Sequence, residues 1–231
     1  AKKAFGNSDI FLEKFIRNSR HIEIQVFGYG EKSAVHFYER DCSIQRRFQK
    51  IIEESPAPKV EQSIIKQMAE MSVNFASDQK YEGAGTIEFI YDIDQKKFYF
   101  LEMNTRIQVE HPVTEEITGV DLVELQIKYA LNLDSKSISQ SDISKIGNSL
   151  ECRLYAEDPK KNFLPSPGKI TKLQFPELTK DIRLDIGVDE GDEISFYYDP
   201  MIAKIISKGG SRLETIKKMK NFLEKMNIEG I

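Results

Sequence analysis

Gly85-Thr86-Ile87-Glu88-Phe89-Ile90-Tyr91-Asp92-Ile93, followed after Asp94-Gln95-Lys96 by Lys97-Phe98-Tyr99-Phe100-Leu101-Glu102-Met103-Asn104, reads as two strands joined by a three-residue loop. Loops of that length are common in hairpins. The pairing sets Glu88 directly opposite Glu102, and strand alternation puts Glu88, Glu102 and Asn104 on one face. Ile87, Phe89, Tyr91, Tyr99, Leu101 and Met103 fall on the other face, which is expected to be core. Carboxylates directly opposite each other repel. A hard divalent cation would offset that repulsion, and two carboxylates with an Asn carbonyl are ligands Mg²⁺ accepts when phosphates supply the rest. A solvated polar face is the alternative. The run on through Arg106, Gln108 and Glu110, read as a continuation of the same strand, favours the cation.

Length and composition bound the function classes. A chain of 231 residues allows one large or two small domains. A hydrophobic content of 40% with 30% charged residues is ordinary for a globular protein. The net charge of −4 gives no electrostatic footprint for nucleic acid or an anionic membrane, so neither is expected as a partner. No apolar run approaches the ~20 residues a membrane span needs. Cys42 and Cys152 lie far apart and read as neither a disulfide framework nor a zinc site. A cytoplasmic setting, or an organellar matrix, is expected. The chain opens at Ala1 in what reads as the tail of a helix and stops just after Glu229-Gly230, so it is expected to be a piece of a larger protein.

Other segments read around the hairpin. Ile10 to Ile16 reads as a short strand. His21 to Phe27 alternates, with Ile22, Ile24 and Val26 on one side and His21, Glu23 and Gln25 on the other. Ala34 to Glu39 returns as its partner after a glycine turn. Arg40 to Lys50 is either an exposed basic loop or an anion-binding segment. Pro58 to Gln79 has the period of an amphipathic helix, with Met68, Met71 and Phe75 on its apolar side. Pro112 holds the residue before it to extended geometry. Gly119 to Leu131 reads as a second helix, and Asn132 to Gly147 as a polar linker with one turn of helix at most. Leu150 to Tyr155 is a strand carrying Arg153 on its polar side and Cys152 in the core. Short strands follow near Ile170, Ile182, Glu193 and Met201, and then a helix capped by Ser211. His36 reads as a surface residue and His111 as a loop-positioning one.

The run EMNTRIQVEHPVTE (Glu102–Glu115) resembles biotin carboxylase, together with HIEIQ (His21–Gln25), ERDCSIQRR (Glu39–Arg47) and YDPMIAK (Tyr198–Lys204). The resemblance covers the chain from about Phe11 to Ile231. It implies an α+β fold: the C-terminal lobe of an ATP-grasp domain over residues 1–148, an antiparallel sheet with helices, then part of a biotin carboxylase C-terminal domain over 149–231. It implies ATP, Mg²⁺ or Mn²⁺, and biotin carried on a carboxyl carrier protein, with bicarbonate activated as carboxyphosphate. Glu13, Lys14, Phe15 and Ile16 match the adenine segment, and His21 and Gln45 residues near the ribose. Glu88 and Glu102 match the metal ligands, with Asn104 beside them. Lys50, Arg106, Gln108 and the backbone N–H of Val109 match the bicarbonate pocket. Glu110 matches the general base, and Arg153 the arginine that stabilises the biotin enolate. Phe48 departs from the His or Asn of many members and removes one ribose contact. The resemblance further implies a carboxyltransferase partner, a homo-oligomer, an acyl-CoA carboxylase α chain as the parent, and little activity for the piece alone. Another bicarbonate-activating ATP-grasp ligase, such as a carbamoyl-phosphate synthetase module, and a non-catalytic assembly fragment are the competing readings.

Overall fold

The structure, a computed structural model, describes residues 1–133 and 137–231. The elements in chain order are α1 (Lys2–Phe5), β1 (Ser19–Tyr29), β2 (Ala34–Arg46), β3 (Gln49–Ser55), α2 (Gln62–Asp78), β4 (Glu82–Asp92) and β5 (Lys97–Asn104). Next come α3 (His111–Thr118), α4 (Leu122–Ala130), β6 (Asn148–Tyr155), β7 (Glu157–Asp158), β8 (Leu164–Pro165), β9 (Gly168–Lys169), β10 (Lys172–Gln174) and β11 (Ile182–Ile186). The chain closes with β12 (Glu193–Ile194), β13 (Met201–Gly209), α5 (Arg212–Leu223) and β14 (Asn227–Glu229). Eight strands form one antiparallel sheet in the order β11-β13-β6-β3-β2-β1-β4-β5.

β1 lies well inside this sheet, and alternation sorts its residues between two buried sides. Ile22, Ile24 and Val26 meet Ile64, Ile65 and Met68 of α2, and Ile87 and Phe89 of β4. His21, Glu23 and Gln25 face the opposite way, where the segment before α3 crosses the sheet. Farther along, Phe27, Val35 and Phe37 pack against Leu122 of α4. α5 covers β6 and β13 through Met219 and Phe222, against Leu150, Cys152 and Ile205. Cys42 and Cys152 are free and buried.

The β4–β5 hairpin forms with Glu88 opposite Glu102 and Thr86 opposite Asn104, as the sequence predicts. A bulge then intervenes, and Phe89 pairs with Phe100 and Ile90 with Tyr99. One extra residue flips the faces beyond it. Phe98 and Phe100, rather than Tyr99 and Leu101, therefore meet the Phe89 ring, at 5.3 and 6.5 Å between centroids. Tyr99 and Leu101 leave the expected core and are exposed, and Phe100, in ring contact at the sheet edge, is exposed as well.

Other expectations are corrected. Ile10 to Ile16 is irregular chain, exposed up to Phe15 and half-buried at Ile16, and not a strand; its alternation finds no strand to pair with. Arg40 to Lys50 is not a loop. It is the end of β2, a turn, and the start of β3, with Arg46 paired to Gln49. The turn residues Arg47 and Phe48 both have positive φ, 52° and 65°, as a tight hairpin turn requires. Strand β5 ends at Asn104, so Arg106, Gln108 and Glu110 are presented by the loop after it. The next helix starts at His111, because Pro112 sits in a first turn, where its missing N–H costs nothing. Gly119, at φ 71°, ends that helix. Met71 and Phe75 lie on the outer flank of α2 and are exposed. Part of the expected linker, residues 134–136, lies outside the described residues; its one helical turn is the 3₁₀ turn Gln140–Asp142.

Candidate active site

The polar side of β1, the β2–β3 hairpin, the β4–β5 hairpin and the loop 105–110 enclose a cleft of about 760 Å³. Lys14, Phe15, Ile16, His21, Gln45 and Phe48 line one part, and Lys50, Glu88, Glu102, Asn104, Arg106, Gln108, Val109, Glu110 and Arg153 the other. Of the residues expected at a site, only Glu13 stands outside this lining. Strands, the irregular segment before β1 and the loop after β5 bring the rest together from positions far apart in sequence.

Beneath the floor lies a charge network, centred on Arg40, that the sequence reading does not pick out. Arg40 is fully buried. Its Nε donates to Glu23 Oε1 at 2.5 Å, one terminal nitrogen to Gln25 Oε1 and Thr114 Oγ1, and the other to Thr86 Oγ1 and Gln108 Oε1. A guanidinium has five N–H donors, and each has an acceptor here. Glu23 Oε2 takes Lys50 Nζ at 2.7 Å. Burial pushes the Glu23 carboxyl up, but Arg40, Lys50 and His21 overcome it and hold it at about 2. The available signal was the strand pattern itself. His21, Glu23 and Gln25 share the side of β1 that faces the site, and a polar side of an inner strand must be paired.

Lys50 is the hub above this layer. Its ammonium bonds Glu23, Glu88 at 3.0 Å and Glu110. Burial lowers the Lys50 pKa, yet these carboxylates outweigh burial and raise it, so Lys50 is a fixed cation. Glu110 is 2% exposed and clamped: one oxygen on Lys50, the other 3.0 Å from a terminal nitrogen of Arg153. Arg153 Nε bonds Glu53 Oε1 at 2.7 Å. Gln108 bridges the layers, donating to Glu88 Oε1 at 2.7 Å and accepting from Arg40. Val109 O accepts from Lys204 at 2.9 Å. The Arg106 guanidinium, at the mouth, donates to Ile107 O at 3.1 Å.

The acidic pair fits a cation. The Asn104 side-chain nitrogen lies 3.1 Å from Glu88 Oε1 and 3.0 Å from Glu102 Oε1, so it bridges the two carboxylates. Turning this amide over would present its oxygen beside theirs, an all-oxygen set suited to Mg²⁺. Glu88 Oε2 lies 2.9 Å from His21 Nε2, and His21 Nδ1 lies 3.0 Å from Gln45 Nε2. Burial raises the Glu88 carboxyl, but His21, Lys50 and Gln108 bring it down to about 2, so it is ionised. Lys14 Nζ lies 3.3 Å from the Tyr99 hydroxyl, above its ring, which ties the exposed segment to the cleft wall. Phe48, 98% exposed, stands at the rim. His111 Nδ1 lies 2.8 Å from Gln108 O, the positioning contact expected of it. His36 is half-buried and not the free surface residue expected, because Gln140 of the 3₁₀ turn bonds its backbone. Arg46 pairs with Glu157 and stacks on Phe163 at 4.2 Å, which makes it an intramolecular tie.

Comparison with known proteins places the chain in a family. The family described as carbamoyl-phosphate synthase L chain, ATP binding domain, matches residues 1–137, and the biotin carboxylase C-terminal domain matches residues 151–231. Biotin carboxylase 1 of Bacillus subtilis is 49% identical over the whole chain, which covers 51% of it. The mitochondrial methylcrotonoyl-CoA carboxylase subunit alpha of Mus musculus is 47% identical, again over the whole chain, covering 32% of that protein. The chain thus spans about half or less of the length of these relatives. Among solved structures, the biotin carboxylase domain of a thermophilic 2-oxoglutarate carboxylase bound to bicarbonate superposes with a TM-score of 0.94 at 45% identity, over all of this chain and 51% of that one. The Hydrogenobacter thermophilus 2-oxoglutarate carboxylase domain, a dimer with MgADP, ADP and bicarbonate, gives 0.92 at 45% identity, over 99% of this chain and 50% of that one. With its antiparallel sheet, its flanking helices and both domain matches, the chain belongs to the ATP-grasp family of biotin carboxylases.

Proposed function

We propose that the protein carrying this chain uses ATP and bicarbonate to carboxylate biotin on a carrier protein, in this cleft. The clamp on Glu110 carries the reading: a buried carboxylate fixed between Lys50 and Arg153, beside the Glu88–Glu102 pair. Lys50 and Arg106 supply charge for the bicarbonate oxygens, with Gln108 and the Val109 N–H completing the pocket. Glu110 takes the bicarbonate proton. The freed oxygen forms a bond to the γ-phosphorus of ATP, the bond to the bridging oxygen breaks, and ADP leaves with its electron pair. A positioned base is needed because bicarbonate is a poor nucleophile. Glu88, Glu102 and Asn104 would hold Mg²⁺, which when bound neutralises phosphate charge. Glu13 to Ile16 would meet adenine, and His21 and Gln45 the ribose. Arg153, always charged, would receive the oxygen that turns negative as biotin loses its proton.

The division at residues 148 and 149, a carboxyltransferase partner and a homo-oligomer belong to the same proposal. An acyl-CoA is the proposed final acceptor, in keeping with the methylcrotonoyl-CoA and propionyl-CoA carboxylase relatives. The test is phosphate release from MgATP by the full-length protein, with and without bicarbonate and biotin, beside Arg153→Ala. Release that needs bicarbonate, rises with biotin and loses that rise in the variant is expected. Release indifferent to biotin but dependent on ammonia would support a carbamoyl-phosphate synthetase reading, towards which the description of the matching family leans. No release would favour an assembly role.

A further inference from the structure

Behind Arg153 lies a pair of carboxylates that the chemistry above does not use. Glu53 of β3 and Glu151 of β6 are directly opposite each other in adjacent strands, and both are fully buried. Glu53 Oε1 accepts from Arg153 Nε at 2.7 Å. Among the described residues, Glu53 Oε2 and both oxygens of Glu151 are buried with no hydrogen-bond partner. Two carboxylates forced together in a dry interior cannot both stay ionised. An orphaned carboxylate oxygen there is costly unless a proton serves it.

We propose that Glu53 and Glu151 share a proton and act as positioning residues for Arg153, the proton residing on Glu151 and the charge on Glu53. The inference rests on the biotin carboxylase reading only for its effect on turnover. One proton satisfies Glu53 Oε2 and one oxygen of Glu151 together. It leaves a single negative charge aimed along Nε of Arg153, which holds the guanidinium with a terminal nitrogen on Glu110. Glu110 and Glu23 push the pair toward protonation, and Arg153 and Lys204 pull against it. Lys204 points elsewhere, bonding Val109 O and lying 3.3 Å from Asp185. Tyr155, farther along β6, faces Arg153. Burial raises the Glu53 carboxyl to about 7 against the pull of Arg153, and burial and Glu53 raise Glu151 well beyond it. The pair therefore goes from two protons to one as pH rises through about 7.

The test uses the full-length protein and the variants Glu53→Gln and Glu151→Gln. Infrared difference spectra of the wild type at pH 8 should contain the carbonyl band of a buried protonated carboxylic acid, and Glu151→Gln should lack it. Glu151→Gln mimics the neutral partner and should keep biotin-stimulated turnover within a few-fold of wild type. Glu53→Gln removes the anion, and its biotin-stimulated kcat should fall roughly 10- to 100-fold, the value of one hydrogen bond to a charged group. Its KM for ATP should stay unchanged, and its bicarbonate-dependent release without biotin, whose base Glu110 keeps the Lys50 contact, should fall much less than the biotin-stimulated rate. The biotin-stimulated rate should lose its rise near pH 7 in Glu53→Gln only. Absence of the acid band in the wild type, or its persistence in Glu151→Gln, overturns the shared proton. An undiminished biotin response in Glu53→Gln overturns the positioning role. If the wild type itself ignores biotin, the biotin carboxylase reading and the positioning role fall together, while the infrared band still decides the shared proton.

Discussion

Arg40 shows how much this site depends on a residue that touches no proposed substrate. Removing one member of a buried, bonded pair leaves the other as an uncompensated charge. Arg40→Met would strand Glu23 and is expected to cost about 3–5 kcal/mol, read as a lowered denaturant midpoint. Arg40→Lys should recover only part, since an ammonium has three donors and no fork. Glu23 also sets a pH dependence. Its folded value is about 2 against an ordinary 4.5. The stability it confers is fully present above pH ~4.5 and is lost as pH falls toward 2. Denaturant midpoints should fall across that window, and Glu23→Gln should be the less stable protein above it. At the cleft, Glu110→Gln removes the proposed base and should reduce bicarbonate-dependent phosphate release about 100-fold or more. An unchanged rate would assign proton removal to another group.

At the scale of elements, close packing of β1 on the turn between α2 and β4 leaves no room at Gly28. A Cβ there would lie 2.0 Å from the Tyr81 carbonyl oxygen, a backbone atom that cannot swing aside. Gly28→Ala should therefore destabilise by at least about 2 kcal/mol, visible as an earlier thermal transition. The same scale shows what could be read without coordinates. Helix α2 was legible because Ile64, Ile65 and Met68 recur at helical steps. The Glu88–Glu102 register was legible because loop length and alternation agree. The faces of Tyr99 and Leu101 were not, because a bulge adds a residue without any Gly or Pro to mark it. Helix α3 was missed because the sequence HPVTEEIT puts Pro and β-branched residues in a short span, and the rule for residues before proline masked the first-turn use of Pro112. The candidate site residues were named one by one through the resemblance of their motifs to biotin carboxylase, and the fold brings all but Glu13 to one cleft. The buried layer of Arg40 and Glu53 escaped because ion pairing across strands depends on sheet order, which periodicity does not encode.

At the scale of the whole molecule, β3 hydrogen-bonds to β6, so one sheet runs unbroken from the segment before residue 137 into the segment after residue 151. Ion pairs reinforce the junction: Arg212 with Glu54, Arg183 with Glu115 at 2.6 Å and Lys208 with Glu116 at 2.8 Å. The two parts should therefore unfold together. Hydrogen exchange should protect β3 and β6 amides equally, and markedly weaker protection in β6 would argue for separable units. The unbroken sheet also explains how Arg153, from the later part, reaches Glu110, from the earlier one.

The five acceptors around Arg40 have a kinetic consequence. They come from β1, β4, the loop after β5, and α3, so the last of them arrives only when Thr114 docks. Until then the guanidinium does better in water than in a half-built interior. Its bonds should therefore form after the main folding barrier. Arg40→Met should leave the refolding rate nearly unchanged and place almost all of its cost in faster unfolding. The residue would then act less as a guide for the chain than as a latch on the finished molecule.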